Sequence, residues 1–498
     1  MMKPNARKLL LTAWAAGLAG VTASCAVGPD FKRPEPPSAS GYGTASAQVD
    51  IVATDVPGGN AQRLIVGQDI PAQWWTLFQS PKLNQLIEQA MKSNADIAAA
   101  KAALRQAHEL YAAERATFFP TVAGNFTATR AKNPIGSIAN PTVLPQENPY
   151  YNLYTAQVSV SYVPDVFGGT RRAVEASRAQ AEATRFQLEA TYLTLSSNVV
   201  VAAIQEASLR GQIAATQRLL QLQHQLTEKT RQQRTLGTVS NLDVLTQEAA
   251  EAQTAATLPS LQRQLHQTRD ALTALLGRLP SDEPEETFRL DELFLPVELP
   301  VSLPSKLVEQ RPDVRQAEAN LHVASAQAGV ALADMLPQFV ITADTGSSAL
   351  KISDLLKTGT GFWDVGASLT QTLFDAGALL HKHRAADAAL DQAGAQYRAA
   401  VIVACQNVAD TLHALQADAQ ALKASAEAER AAKAAFELAQ QQRELGTISF
   451  VAVMNAETLY QQAELAFVQA QASRYSDTAA LFQALGGGWW NRTEGRSL

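Results

Sequence analysis

Cysteine is nearly missing from this chain: Cys25 and Cys405 are the two in 498 residues. Two cysteines build neither a disulfide framework nor a zinc site. Aromatic residues are sparse, at 6%, and Ala, Gln, Leu and Glu dominate, which favours long helices over compact sheet domains. Positive charge is in deficit, with 41 Lys and Arg against 47 Asp and Glu, and this argues against nucleic acid as a partner. Past the N-terminus no run of 18 apolar residues exists, so no helix is expected to cross a membrane. A catalytic constellation is lacking too, so neither enzymatic activity nor a cofactor or metal is expected. His381-Lys382-His383 sets its histidines at i and i+2, on different faces of a helix, and reads as a solvated helix start. Asp282–Glu286 is an acidic loop without a partner cluster. Cys405 reads as a small packing residue, and the Gly-rich runs have no P-loop spacing.

What the chain does have begins with a leader. A basic start (Met1–Lys8) precedes an apolar run from Leu9 to Ala23, too short for a comfortable span and suited to a secretory signal, residues 1–24. Ser24-Cys25 resembles the lipobox of bacterial lipoproteins, in which the cysteine is cut and lipidated, although Thr22 stands where Leu is usual. One lipidated residue anchors a chain without spanning the membrane. Ala26, not Asp, follows Cys25, which in lipoproteins resembles sorting to the outer membrane. Residues 25–80, with Pro29, Pro34, Pro36, Pro37 and Pro57, read as a lipid-anchored tether closed by Trp74-Trp75-Thr76-Leu77-Phe78.

From Pro81 the pattern is helical to about Phe118, and Pro120 stops it. Two stretches of about ten residues then alternate with period 2. Val122, Gly124, Phe126 and Ala128 face away from Thr121, Ala123, Asn125, Thr127 and Thr129. Tyr154, Ala156, Val158, Val160 and Tyr162 face away from Thr155, Gln157, Ser159 and Ser161. These strands, about 121–130 and 154–163, have the length of transmembrane β-strands. A helical pattern runs from Arg171 to Thr235, roughly 100 Å at 1.5 Å per residue. It turns at 236–241, where Gly237 suits a C-cap and Ser240 or Asn241 an N-cap, and returns to Gly277.

The plan then repeats. Pro337 answers Pro120, the corner at Phe374 answers Phe167, and Leu445-Gly446-Thr447-Ile448-Ser449 answers Leu236-Gly237-Thr238-Val239-Ser240. Strands are expected at about 338–346 and 362–371. The organisation is thus a first repeat at 81–280, a connecting loop at 281–304, a second repeat at 305–486 with its tip at 445–450, and a tail at 487–498. Four strands in a bilayer leave unpaired edges, at a cost of several kcal/mol per unsatisfied group. The sheet must close with other chains. Three copies give twelve strands, wide enough for a lumen, lined by the polar faces (Thr121, Asn125, Thr127; Thr155, Gln157, Ser159; Asp364, Ser368, Thr370). Tyr154, Tyr162, Phe362 and Trp363 at strand ends suit interfacial aromatic girdles.

Cys25-Ala26-Val27-Gly28-Pro29-Asp30-Phe31, Trp74-Trp75-x-Leu77-Phe78, Arg311-Pro312-Asp313-Val314 and the terminal Ala484-Leu485-Gly486-Gly487-Gly488-Trp489 resemble the NodT type of outer-membrane efflux lipoprotein, within the TolC-like superfamily. The resemblance covers nearly the whole chain. It implies a mainly α fold with a small membrane β part: a homotrimer with a 12-stranded β-barrel, continued by a long periplasmic α-helical barrel. It implies an exit duct for small molecules in a tripartite pump, with a periplasmic adaptor and an inner-membrane transporter, often of the resistance-nodulation-division type, as partners beside outer-membrane lipid. By the same resemblance Leu236, Gly237, Thr238, Val239, Ser240 and Asp243, with Leu445, Gly446, Thr447 and Ser449, form the periplasmic tips where the adaptor docks. Some relatives close this mouth with aspartates; the second tip here offers Ile448 and Phe450, so an apolar aperture is expected. The same fold also serves type I protein secretion. A non-conducting structural lipoprotein is the other alternative, but a tether needs no amphipathic strands.

Overall fold

The computed structural model describes residues 26–39, 41–42, 51–132 and 150–492; Cys25, the leader and the tip of the first strand hairpin lie outside them. The elements in chain order are β1 (Arg63–Val66), α1 (Pro81–Ser93), α2 (Ala95–Ala116), β2 (Thr121–Lys132), β3 (Tyr150–Tyr162), α3 (Gly169–Thr235), α4 (Asn241–Leu275), β4 (Glu298–Val301), α5 (Pro304–Gln310), α6 (Pro312–Ala333), β5 (Gln338–Ala349), β6 (Gly361–Thr370), α7 (Ala378–Glu444) and α8 (Phe450–Ala484). Among the described residues no helix is long and apolar enough to cross a membrane. The chain divides into two compact units.

The first unit takes Met1–Arg33, Arg105–Glu182 and Ala319–Ala395. Its centre is one antiparallel sheet in the order β2-β3-β5-β6. Pairing of β3 with β5 sets the two hairpins side by side. Each hairpin enters from a helix stopped by proline and leaves through a corner capped by an aspartate. Asp165 accepts from the Thr170 and Arg171 amides at 2.9 and 3.0 Å. Asp375 accepts from those of Gly377 and Leu379 at 2.9 and 2.7 Å. Both aspartates thus satisfy orphan donors of the long helices α3 and α7.

Ahead of the sheet, Ala26–Phe31 is clasped against the first turn of α3. The Val27 amide donates to the Phe167 carbonyl at 3.0 Å. Arg172, itself buried, donates to the carbonyls of Val27 and Gly28 and to Asp30. Phe31 stacks on His322 at 4.2 Å. Gly28 has φ +93°, and a Cβ there would fall 2.4 Å from the Cα of Gly329, so only glycine fits the close approach.

The second unit takes Pro34–Leu104, Ala183–Glu318 and Gln396–Leu498. Helix α1 starts with Ser80 accepting from the Leu83 amide and Pro81 in its first turn. Asn94 interrupts the expected continuous helix, capping α2 through the amides of Asp96 and Ile97 at 2.9 and 3.2 Å. Arg311 makes the equivalent break between α5 and α6; its guanidinium is bidentate to Asp313 and reaches the Ala484 carbonyl at 3.1 Å. Helices α3 and α8 pack in an antiparallel seam, with Val468 3.0 Å from the position of a Cβ on Gly211 and Arg218 bonded to Glu464 at 2.6 Å.

Two stretches differ from the sequence expectation. Residues 51–80 are no extended tether, and 281–304 is no open loop. Strand β1 pairs in parallel with β4, and Ile51, Leu64, Ile70, Leu293, Leu295 and Leu299 are buried. Gln62 donates to the Pro296 carbonyl and to Thr478 on α8. Apolar residues scattered through proline-rich sequence find partners more than 200 residues away, and burial of that surface outweighs the local preference for extended chain.

Candidate functional site

The sheet register decides which residues share a face. Thr121 lies opposite Ser161, Asn125 opposite Gln157 and Thr127 opposite Thr155. Gln157 and Ser159 then face Gly346 and Asp344 on β5, and Asp344 faces Asp364 on β6. Every polar strand residue named from the alternation therefore falls on one face. Val122, Phe126, Val158, Val160, Ile341, Val365 and Leu369 fall on the other. Hydrogen bonds run across the polar face, as between the Thr155 and Ser348 hydroxyls at 3.2 Å. The outer edges of β2 and β6 pair with no strand among the described residues.

Aromatic residues bracket the sheet at both ends. Tyr150, Tyr154, Phe362 and Trp363 stand at the loop end, and Phe119, Tyr162, Phe339 and Phe374 at the helix end. Phe119, Trp363 and Phe374 are largely exposed. Sequence reasoning missed Phe119 and Phe374, because each lies outside the alternating stretch. Their signal is position, one or a few residues beyond a strand end.

The two helical turns are built alike. After α3, the amides of Gly237 and Thr238 bond to Arg234 and Gln233, with Gly237 at φ +76°. After α7, those of Gly446 and Thr447 bond to Arg443 and Gln442, with Gly446 at φ +74°. The left-handed glycine ends each helix in the Schellman manner, and Thr238 and Thr447 add hydroxyl bonds to the same carbonyls. Ser240 and Asp243 form a full capping box on α4, whereas Ser449 caps α8 without a carboxylate partner. The Ser240 bonds, with Arg443 across from it, hold the Asp243 carboxyl below its usual range. Val239 is half-buried between these caps, and Leu236 and Leu445 stand fully out at the turns.

Ile448 and Phe450 do not project freely in the single chain. Phe450 is 8% exposed under Arg443, whose guanidinium lies 5.9 Å from the ring centre and donates to the Ile448 carbonyl at 3.4 Å. The Ile448 side chain packs on the Phe436, Ala439 and Val453 cluster with Leu222 and Leu226. Arg443 is thus a tip residue that sequence reasoning missed; a basic residue in a last helical turn is too common to single out.

No group of three metal-ligating side chains stands among the described residues. His383 pairs with Asp387, one turn on along its helix, at 3.6 Å, and Cys405 is half-buried with its thiol pushed up by burial.

The family model described as outer membrane efflux protein matches residues 86–278 and 303–487. The toluene efflux pump outer membrane protein TtgF of Pseudomonas putida is 28% identical over 470 residues, covering 94% of this chain and 95% of the relative. The pyoverdine export outer membrane protein OpmQ of the same species is 28% identical over 424 residues, covering 85% and 89%. Among solved structures, the outer-membrane channel OprN superposes with a TM-score of 0.82 at 28% identity, over 93% of this chain and all of that one. The open state of the MtrE outer membrane channel of Neisseria gonorrhoeae gives 0.79 at 26%, over 95% of this chain and all of that one. With its paired strand hairpins and doubled helical hairpins in the TolC-like channel fold, the chain belongs to the outer membrane efflux protein family.

Proposed function

We propose that this chain is the exit duct of a tripartite efflux pump in the outer membrane, passing small molecules from periplasm to exterior. The single observation that carries this reading is the four-stranded sheet with one polar face, one apolar face and both edges unpaired among the described residues. Three copies close it into twelve strands, with the polar face on water and the apolar face on lipid. The tips, with Leu236 and Leu445 exposed, are the docking surface for a periplasmic adaptor, which links the duct to an inner-membrane transporter of the resistance-nodulation-division type. Relatives named for a toluene efflux pump and for pyoverdine export support small-molecule export over protein secretion. Selectivity is weak, set by pore width and lining charge. The test is reconstitution of the purified full-length protein in planar bilayers. A trimer with discrete conductance steps is expected, and a monomer that never conducts would overturn the reading.

The Cys25 anchor belongs to the same proposal. Clasping of Ala26–Phe31 beside Phe167, where β3 gives way to α3, supports an acyl chain entering the membrane at the helix end of the strands. Labelled palmitate is expected to enter the wild type and not Cys25→Ser; equal label in both would remove the anchor from the picture.

At the mouth, the proposal is closure by apolar contacts, with Ile448 and Phe450 holding the second hairpin in its packed position. Ile448→Ser is expected to raise closed-state leak conductance several-fold, since a hydroxyl in the Phe436 cluster loosens that packing by about 1–3 kcal/mol. An unchanged leak would count against it.

A further inference from the structure

The seam between α3 and α8 carries a buried acid that neither the tips nor the sheet uses. Glu457 lies two turns into α8 and is 2% exposed. Neither of its carboxylate oxygens has a hydrogen-bond partner among the described residues. Val453 and Tyr460, one turn before and one turn after it on α8, belong to the apolar cluster that joins the hairpins, with Leu222 and Leu226 of α3 and Phe436 of α7. The Gln223 side chain of α3 comes near enough to favour the charged form but stands outside hydrogen-bond geometry, and its own carbonyl oxygen is buried with no partner among the described residues.

An ionised carboxylate with no partner in such a place costs far more than a neutral one. We propose that Glu457 is a proton-binding latch in the α3–α8 seam near the mouth: the seam packs with the carboxyl protonated and separates with it charged. This rests on the duct reading, in which the hairpins part to open the mouth. Burial, opposed by the Gln223 side chain, pushes this carboxyl up to about 7.

The sign follows from that direction. A separated seam returns the carboxyl to its ordinary range near 4.5, so the packed seam binds the proton more tightly. Packing is firmest below the ordinary value, weakens as pH rises from there to about 7, and is level above it. Between pH 5 and pH 7 the opening equilibrium of the seam rises on the order of tens-fold.

Other groups nearby titrate or carry charge. They are Arg218 and His224 on α3, Glu251 on α4, Glu429 and Glu437 on α7, and Glu464 on α8. Arg218 is bonded to Glu464 and His224 to Glu251, and Tyr460 feels Glu464, Glu429, Arg218 and Glu437. Further along the helices, Asp418 on α7 is pushed up to about 7 by burial and by Asp477.

The experiment is amide hydrogen exchange on the full-length protein in detergent, read as protection factors over residues 450–468 at pH 5 and pH 7. Wild type is expected to lose tens-fold protection across this interval. Glu457→Gln, which keeps the shape without the charge, is expected to hold its protection at both values, while His224→Gln and Asp418→Asn respond like wild type. A wild type with pH-independent protection, or a Glu457→Gln variant that still responds, overturns the latch. Conductance of the same preparations tests the duct separately: a protein that shows the exchange response but never conducts keeps the latch and loses the duct.

Discussion

Arginine in place of Val365 is expected to clear the protein from the outer membrane, while arginine one residue earlier, at Asp364, leaves it inserted and assembled. The two positions are neighbours on β6 and point to opposite faces of the sheet. Val365 is 69% exposed, on the face with Phe126, Val158 and Leu369. A lipid-facing arginine near the bilayer midplane costs about 2–4 kcal/mol. The proposed barrel of three copies would bear that cost three times, a total comparable to the stability of a whole domain. Asp364 sits on the polar face directly opposite Asp344. Arginine there replaces a like-charge pair with an opposite one, which is mildly favourable across strands. Outer-membrane fractionation, with gel mobility of the unheated trimer, reads both variants. A lost Asp364→Arg with an intact Val365→Arg would mean the faces are assigned backwards. Equal behaviour of the two would mean that the sheet lies outside the bilayer altogether, as in a non-conducting lipoprotein.

This pair of outcomes also marks how far the sequence could be read. The faces of β2, β3 and β6 were legible because alternation is a local property, and the register only had to bring like faces together. The tips were legible for a similar reason: Gly237 and Gly446 with Ser240 and Ser449 spell a helix end and a helix start within a few residues. The contacts of residues 51–80 were not legible. Strand β1 is four residues long, too short to show a period, and its partner β4 lies on the far side of the first repeat. Proline content there describes the local chain and says nothing about Ile51, Leu64 or Ile70 finding a core. Pro259 illustrates the converse. It stands inside α4, at an exposed position, where packing of the remaining helix overrides the local penalty. At the second helical turn, the sequence placed Ile448 and Phe450 but not the direction of their side chains. Arg443 over Phe450 decides that, and such a pairing across a turn has no signature in composition or spacing.

Trp74→Ala is expected to cost about 3–5 kcal/mol, the range for removing a buried aromatic, and to be among the most damaging substitutions outside the membrane part. Trp74 is 0% exposed. Its ring stacks on Phe482 of α8 at 5.4 Å and meets Trp75 and Phe78 edge-on at 6.1 and 6.3 Å. Alanine would leave a void that close-packed neighbours fill only in part. One feature of the site works in the opposite direction: the indole N–H is buried with no acceptor among the described residues, an arrangement that costs about 1–3 kcal/mol in itself. Trp74→Phe removes that donor while keeping a ring against Phe482, so it is expected to lie within about 1 kcal/mol of wild type. Denaturant unfolding followed by helical circular dichroism reads both. Equal large losses in the two variants would show that the indole N–H has a partner after all. A loss below about 1 kcal/mol in Trp74→Ala would show that the segment before α1 contributes no core, and that residues 51–80 are closer to the tether their composition suggests.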